Sequence, residues 1–331
     1  MKKALITGIT GQDGAYLSKF LLSKGYHVYG LVTDFDRLQL DNLIILEVDD
    51  QIELVLGDLL NLQTLTDLLA EIRPDEIYNL AAQSSVARSF EYPVDTVAFN
   101  VLSAHHILDG IRTSKINTRF YQASSSEMFG RVKELPVTED HVLHPMSPYA
   151  ISKAAGHWLA INYREAYGLF CCCGVLFNHE SFLRPSHFVT KKIISTAIRI
   201  SKGSREKLYL GNVETQRDWG YAPEYVKSMW LMLQQDNPDD YVIATNEAHK
   251  LSEFVEISFS YFGLDWKEYT IIDKRLFRLS DIDVLYGNPD KAKTKIGWVY
   301  EMTFEEMVQK LIEDDLSHHI SVSNISSELQ E

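Results

Sequence analysis

Apolar positions in the first half of the chain come in short β-branched runs separated by stretches with helical spacing. The segments 3–7, 27–33, 52–58, 76–81, 118–124 and 171–177 read as strands. Between them, the periodicity predicts helices near residues 13–24, 61–72, 95–113 and 149–167. This alternation predicts an α/β fold, a Rossmann-type doubly wound parallel sheet covered by helices. After Phe177 the pattern loosens into loops and short helices. A smaller, interleaved C-terminal substrate-binding region is expected there, adding walls at the sheet's carboxyl edge. The expected division is 1–177 for the sheet domain with a returning segment near 213–240, 178–316 mainly for the second region, and a polar, frayed tail over 317–331.

Composition narrows the partners. The 331 residues are 45% apolar, enough for a large core, and the net charge is −14. Nucleic acid and membrane surfaces are polyanionic and are therefore not expected as partners. No 18-residue apolar run occurs, and the amino terminus turns into glycines after five apolar residues, so a cytoplasmic protein is expected. Cys171, Cys172 and Cys173 are consecutive, which suits strand packing better than a zinc site or a disulfide framework. His318 and His319 lie in the polar tail, and no metal site is expected.

Candidate chemistry begins at the first strand-to-helix turn. Gly8, Gly11 and Gly14 form a GxxGxxG spacing, with Thr10, Gln12 and Asp13 completing the turn. Glycines let backbone approach a pyrophosphate, and a helix amino end supplies unpaired N–H groups and partial positive charge. Asp34 follows the second strand, where a carboxylate accepts from ribose hydroxyls and repels a 2′-phosphate. NAD is favoured over NADP, with nearby Arg37 keeping NADP open. Asp58 and Leu59 after the third strand, and Leu80, Ala81, Ala82 and Ser84 after the fourth, lie where the rest of a dinucleotide would pass. Tyr149 and Lys153 make a YxxxK pair, one helical turn apart on one face. Bringing a phenol from about 10 to near 7 takes about 4 kcal/mol, which a neighbouring ammonium is expected to supply.

These words, together with FYQASSSEMFG, SPYAISK, LFNHES and LYLGNVETQRDWG, resemble the extended short-chain dehydrogenase/reductase family and, within it, the GDP-mannose 4,6-dehydratases. The similarity covers nearly everything but the tail. It implies a GDP-sugar substrate and a homodimer or homotetramer, the helices near 95–113 and 149–167 packing as a four-helix interface. It implies that Tyr149 takes the proton of the sugar's 4-hydroxyl while the cofactor takes the C4 hydride, that Glu127 removes the C5 proton and assists loss of the C6 hydroxyl, and that Ser125 hydrogen-bonds the sugar. The hydride then returns to C6. Lys192 and Arg217 match diphosphate-binding positions, and Arg278 and Asp281 match nucleoside-binding ones. Asn178 and His179 fall beside the diphosphate and the nicotinamide. Ser84, Val189 and Gly211 match substrate positions, and Arg184 a cofactor position.

Three stretches depart from the family pattern. The segment VTDFD replaces two arginines and serines suited to a 2′-phosphate, which supports NAD. Ser125 stands for a threonine. The loop Phe182–His187 and Met146 differ where prolines and arginines are usual, so the sugar is read as mannose or a related hexose or heptose. Same-fold enzymes that only oxidise or reduce at C4, or epimerise, are the alternative; a non-catalytic nucleotide-binding protein is a minor one. Glu127 speaks against the first and the intact Tyr149–Lys153 pair against the second.

Overall fold

The computed structural model describes residues 1–36, 38–277 and 280–328, with side chains described as far as His318. Its strands are β1 (Lys3–Thr7), β2 (His27–Val32), β3 (Glu53–Leu56), β4 (Glu76–Asn79), β5 (Arg119–Ser125), β6 (Phe170–Leu176), four short strands β7 (Asn178–Glu180), β8 (Leu208–Leu210), β9 (Gln216–Arg217) and β10 (Trp219–Tyr221), then β11 (Asp240–Ile243). Seven of them make one sheet in the order β11-β6-β5-β4-β1-β2-β3, every neighbour parallel. The doubly wound parallel sheet read from the sequence is the fold of the chain. Strand order reverses between β1 and β4, and such a switch point opens a crevice beyond the carboxyl ends of the strands.

Strands β1, β2 and β6 run nearly all apolar because both sheet faces are covered there. The helices are α1 (Gln12–Ser23), α2 (Asp41–Ile45), α3 (Leu62–Ile72), α4 (Val86–Glu91), α5 (Pro93–Ser114), α6 (Pro148–Tyr167), α7 (Val189–Ser201), α8 (Ala222–Leu233) and α9 (Leu251–Ser260), with further short ones and a final helix, Phe304–Glu328. One core layer joins Leu17 and Leu21 of α1 to Val226 and Met229 of α8. The other packs Leu65 of α3, Ile107 of α5 and Ala160 of α6 against Leu5 and Phe120. Cys171, Cys172 and Cys173 are fully buried and unbridged in β6. Helix α6 starts where Ser147 caps it by accepting from the Ala150 N–H at 3.1 Å, with Pro148 in its first turn.

The second region is built from α7, α9 and the final helix around Ile193, Phe254 and Met307. Its strands are short: β7 pairs with β10, and β9 lies between strands His249–Lys250 and Val284–Leu285. The chain crosses back through α8, which covers α1, and through β11, which extends the main sheet beside β6. The final helix continues past residue 317, where the sequence suggests fraying; Leu311, Ile312 and a 2.6 Å Lys191–Asp315 bridge anchor its first half. No helix among the described residues is long and apolar enough to cross a membrane.

Candidate active site

The turn after β1 is shaped by what its glycines exclude. Gly8 has φ +70°, and a Cβ there would lie 2.8 Å from the Ala81 nitrogen; at Gly14 it would lie 2.3 Å from the Gly8 carbonyl oxygen. Gly11 N–H donates to Gly8 O at 3.0 Å, closing the turn. Gly11 is also the N-cap of α1 and offers no side chain to its first amides. Beside it, Leu80 and Ala81 are held by their N–H groups on the Thr7 hydroxyl, 3.1 Å each. An uncapped helix start facing small residues at the switch point fits a pyrophosphate. Asp34 lies two residues beyond β2, exposed, accepting from the Asp36 N–H at 2.8 Å. Asp58 is also exposed, while the Leu59 side chain is buried in the core, so Leu59 offers only backbone to that path. Asn42 donates to Thr10 O at 2.9 Å.

The turn is tied to the second region by a pair of a buried histidine and a half-buried aspartate. His179 Nδ1 lies 2.7 Å from Phe177 O and Nε2 2.9 Å from Asp13 Oδ2. Both neighbours accept, so the ring holds both protons. Burial alone would lower the imidazole; the Asp13 charge and hydrogen bond raise it above its usual value. Burial alone would raise Asp13, yet the His179 charge and its hydrogen bond bring it down to about 2. Gln12 adds bonds to Asp13, to His179 O and, as acceptor, from Ser181.

Beyond the sheet edge opens a cleft of about 360 Å³. Ser84, Ser125, Glu127, Tyr149, Asn178, Arg184, Val189, Lys192, Gly211, Arg217 and Asp281 all line it. Glu127 sits on a single 3₁₀ turn, Ser126–Met128, directly after β5, and its N–H donates to the Ser125 hydroxyl at 3.3 Å. Tyr149 and Lys153 stand on the first turns of α6, Tyr149 lining the cleft and Lys153 buried behind it. Lys192 donates to Tyr209 O at 2.6 Å. Arg217 donates to Ile282 O at 2.6 Å and meets Asp281 at 3.2 Å. The Arg184 guanidinium stacks 3.8 Å over Phe188 and lies 3.2 Å from Glu180. Arg278 and Arg37 lie outside the described residues.

One expectation is corrected. Tyr149 is not brought toward neutrality here: burial, and to a lesser degree the Glu127 charge, push it up to about 12, against a lowering hydrogen bond from Ser125 and the Arg184 charge. Lys153 does not supply the expected drop, because its Nζ donates to Ala123 O at 2.8 Å and lies 5.8 Å from the Tyr149 ring centre. Burial holds Lys153 itself down to about 8. Glu180, Thr190, Tyr209, Trp219 and Leu276 also line the cleft and were not expected there. They come from five separate segments that only the fold brings together.

A sequence profile described as GDP-mannose 4,6 dehydratase matches residues 5–311. This chain belongs to the GDP-mannose 4,6-dehydratase family. "GDP-mannose 4,6 dehydratase 1" of Arabidopsis thaliana is 48% identical over 325 residues, 95% of this chain and 90% of that protein. Among solved structures, the UDP-glucose 4-epimerase of Thermotoga maritima superposes with a TM-score of 0.85 at 21% identity, covering 96% of this chain and 99% of that one. The Thermus thermophilus UDP-glucose 4-epimerase, described as a complex with NAD, gives 0.81 at 25%, covering 95% and 98%. The dehydratase family thus shares its backbone with enzymes of other outcome, and the side chains in the cleft must distinguish them.

Proposed function

We propose that the chain is a GDP-sugar 4,6-dehydratase, converting GDP-mannose or a related GDP-hexose or heptose to the 4-keto-6-deoxy sugar with an internal C4-to-C6 hydride transfer through NAD. The observation that carries this reading is Glu127 lining one cleft with Ser125 and Tyr149. Oxidation or epimerisation at C4 needs no carboxylate to expel the C6 hydroxyl; elimination does. Membership of the dehydratase family supports the same outcome. NAD is supported by Asp34 beyond β2, whose carboxylate repels a 2′-phosphate, and by the NAD named with the Thermus thermophilus neighbour.

When bound, the oxidised nicotinamide accepts the C4 hydride, returns it to C6, and brings positive charge to the cleft. Gly8, Gly11 and Gly14 would admit the pyrophosphate against the first amides of α1. Tyr149 would take the 4-hydroxyl proton. Burial holds its phenol near 12, and the Ser125 hydrogen bond and the Arg184 charge are the chain's own lowering influences on it. Ser125 would hydrogen-bond the sugar and the phenol together. The 4-ketone acidifies the C5 proton, which Glu127 removes and hands to the departing C6 hydroxyl as water. The proton taken from the 4-hydroxyl balances the one later added at C5, so one water leaves and no redox equivalent is lost. Lys192 and Arg217 would hold the diphosphate as local cationic exceptions on an acidic protein, and Asp281 would hold the nucleoside.

Two further parts belong to the proposal. Val94 and Leu102 of α5, and Ile151 and Trp158 of α6, are exposed, Val94 by 77% and Trp158 by 58%. These two helices pack side by side, which supports a homodimer or homotetramer through a four-helix contact; sedimentation at micromolar concentration giving only monomer would remove it. A cytoplasmic location is supported by three adjacent cysteines buried as free thiols; secretion of the native chain would contradict it.

The deciding experiment incubates the protein with a panel of GDP-sugars and weighs the products. Loss of one water without net NADH is expected; an oxidised sugar that keeps its water would favour the C4-only alternative. Glu127→Gln should leave C4 oxidation detectable while slowing water loss by roughly 10²–10⁴-fold. Full turnover by that variant would take Glu127 out of the mechanism.

A further inference from the structure

Asp218 is a buried carboxylate behind the cleft lining, 1% exposed, and no step of the proposed chemistry uses it. It sits between Arg217 and Trp219, both of which line the cleft. In an extended segment alternate side chains point to opposite faces, so Asp218 faces away from the cleft. There its two oxygens accept from four donors: the Thr245 N–H (2.9 and 3.1 Å), the Thr245 hydroxyl (2.9 Å), the Asn246 N–H (3.1 Å) and the Gly287 N–H (3.4 Å).

The donors come from two places. Thr245 and Asn246 follow β11, the edge strand of the main sheet, and Asn246 turns with φ +69°, a left-handed conformation that asparagine tolerates. Gly287 follows the strand Val284–Leu285, which pairs with β9 and so with Arg217. The Asp218 N–H itself donates to Leu285 O at 3.2 Å. One carboxylate therefore ties the two-residue strand of Arg217 to the rigid sheet that carries Ser125, Glu127 and, through α6, Tyr149. Strand β9 is too short to hold that register by its own ladder.

We infer that Asp218 is a positioning residue for substrate: through its four accepted hydrogen bonds it sets Arg217 at a fixed offset from the Ser125–Glu127–Tyr149 edge. This rests on the proposed role of Arg217 at the diphosphate. Burial pushes the Asp218 carboxyl up to about 7, while the bonds from Thr245, Gly287 and Asn246 pull it down. Each of the bonds named is one the carboxyl accepts, so the hydrogen bonds favour the ionised form while burial opposes it. An amide there would turn an NH₂ group toward N–H donors and lose register.

The test compares wild type and Asp218→Asn by GDP calorimetry, steady-state dehydration of the GDP-sugar that wild type turns over, retained dinucleotide absorbance, and thermal melting. A GDP Kd and a sugar-nucleotide KM each at least tenfold weaker are expected, with kcat within threefold and dinucleotide content unchanged. Wild-type Kd and KM, or a lowered melting temperature with KM unchanged, would overturn the inference. If Asp218→Asn fails to fold, Thr245→Val removes only the hydroxyl donor; a KM rise of about threefold is expected and none overturns the inference. A wild-type protein that binds GDP but releases no water refutes the dehydratase reading, and the GDP affinities then decide Asp218 alone. Absence of GDP binding by wild type refutes both.

Discussion

The two ends of the site are built by opposite means. The dinucleotide end is made of neighbours in sequence: one turn holds Gly8, Gly11 and Gly14, and the strands that flank it are central and buried on both faces. The end around Arg217 and Asp281 is made of remote pieces: a two-residue strand, a loop carbonyl at Ile282 and a carboxylate bonded across to residues 245 and 287. The first end gets its geometry from backbone sterics. The second gets it from hydrogen bonds between segments, so its positions should shift under changes that leave the first untouched.

Gly14→Ala should have the largest effect. A Cβ would fall 2.3 Å from Gly8 O and 2.7 Å from Ile9 backbone atoms, with no flexible side chain to yield. A loss of roughly 3 kcal/mol or more of stability is expected, at the upper end of overpacking costs, together with loss of retained dinucleotide. Chemical denaturation and the absorbance of the purified protein measure both. A stable variant that keeps its dinucleotide would mean the turn is softer than its contacts indicate.

Arg217→Met probes the other end. It removes a charge 8% exposed while leaving the glycine turn intact. KM should rise by roughly ten- to a hundredfold, about 1.5–3 kcal/mol for a charge-assisted contact, with dinucleotide content unchanged. If dinucleotide retention fell in parallel, the two ends would not be independent, and the contrast drawn between them would fail.

That contrast also explains which parts the sequence made legible. The helix bounds read near 61–72 and 149–167 fall within a residue of Leu62–Ile72 and Pro148–Tyr167, because Asn61 and Ser147 cap their starts and Gly168, at φ +68°, ends the second. Strand β11 escaped notice: its four residues, Asp240 to Ile243, start two positions after Pro238 and carry too little periodicity to announce an edge strand. Thr190, Tyr209 and Trp219, which line the cleft from α7, β8 and β10, carry no local signal, because their juxtaposition is made by tertiary packing. The Tyr149–Lys153 spacing correctly gave a shared helix face but not the phenol's state. Spacing says nothing of burial, or of the Ala123 carbonyl that engages the lysine.

Asp13 and His179 are where the two ends meet, and the effect expected there is confined to a pH window. Asp13 belongs to α1 and His179 to β7, so their 2.9 Å contact joins the glycine turn to the second region. The folded-state carboxyl lies near 2 against an ordinary 3.8, so its stabilisation is present above about pH 4 and lost as pH falls toward 2. The drop corresponds to something on the order of 2 kcal/mol. His179 is raised above its ordinary 6.5, so its share is complete below that pH and lost as pH climbs through the raised value. Asp13→Asn should therefore be destabilised most between about pH 4 and 6.5, with the difference from wild type shrinking on both sides. Urea unfolding of the two proteins across pH 3 to 9 reads this directly. A difference that stays flat with pH would mean the contact joins the two ends by shape alone, without the charge of either partner.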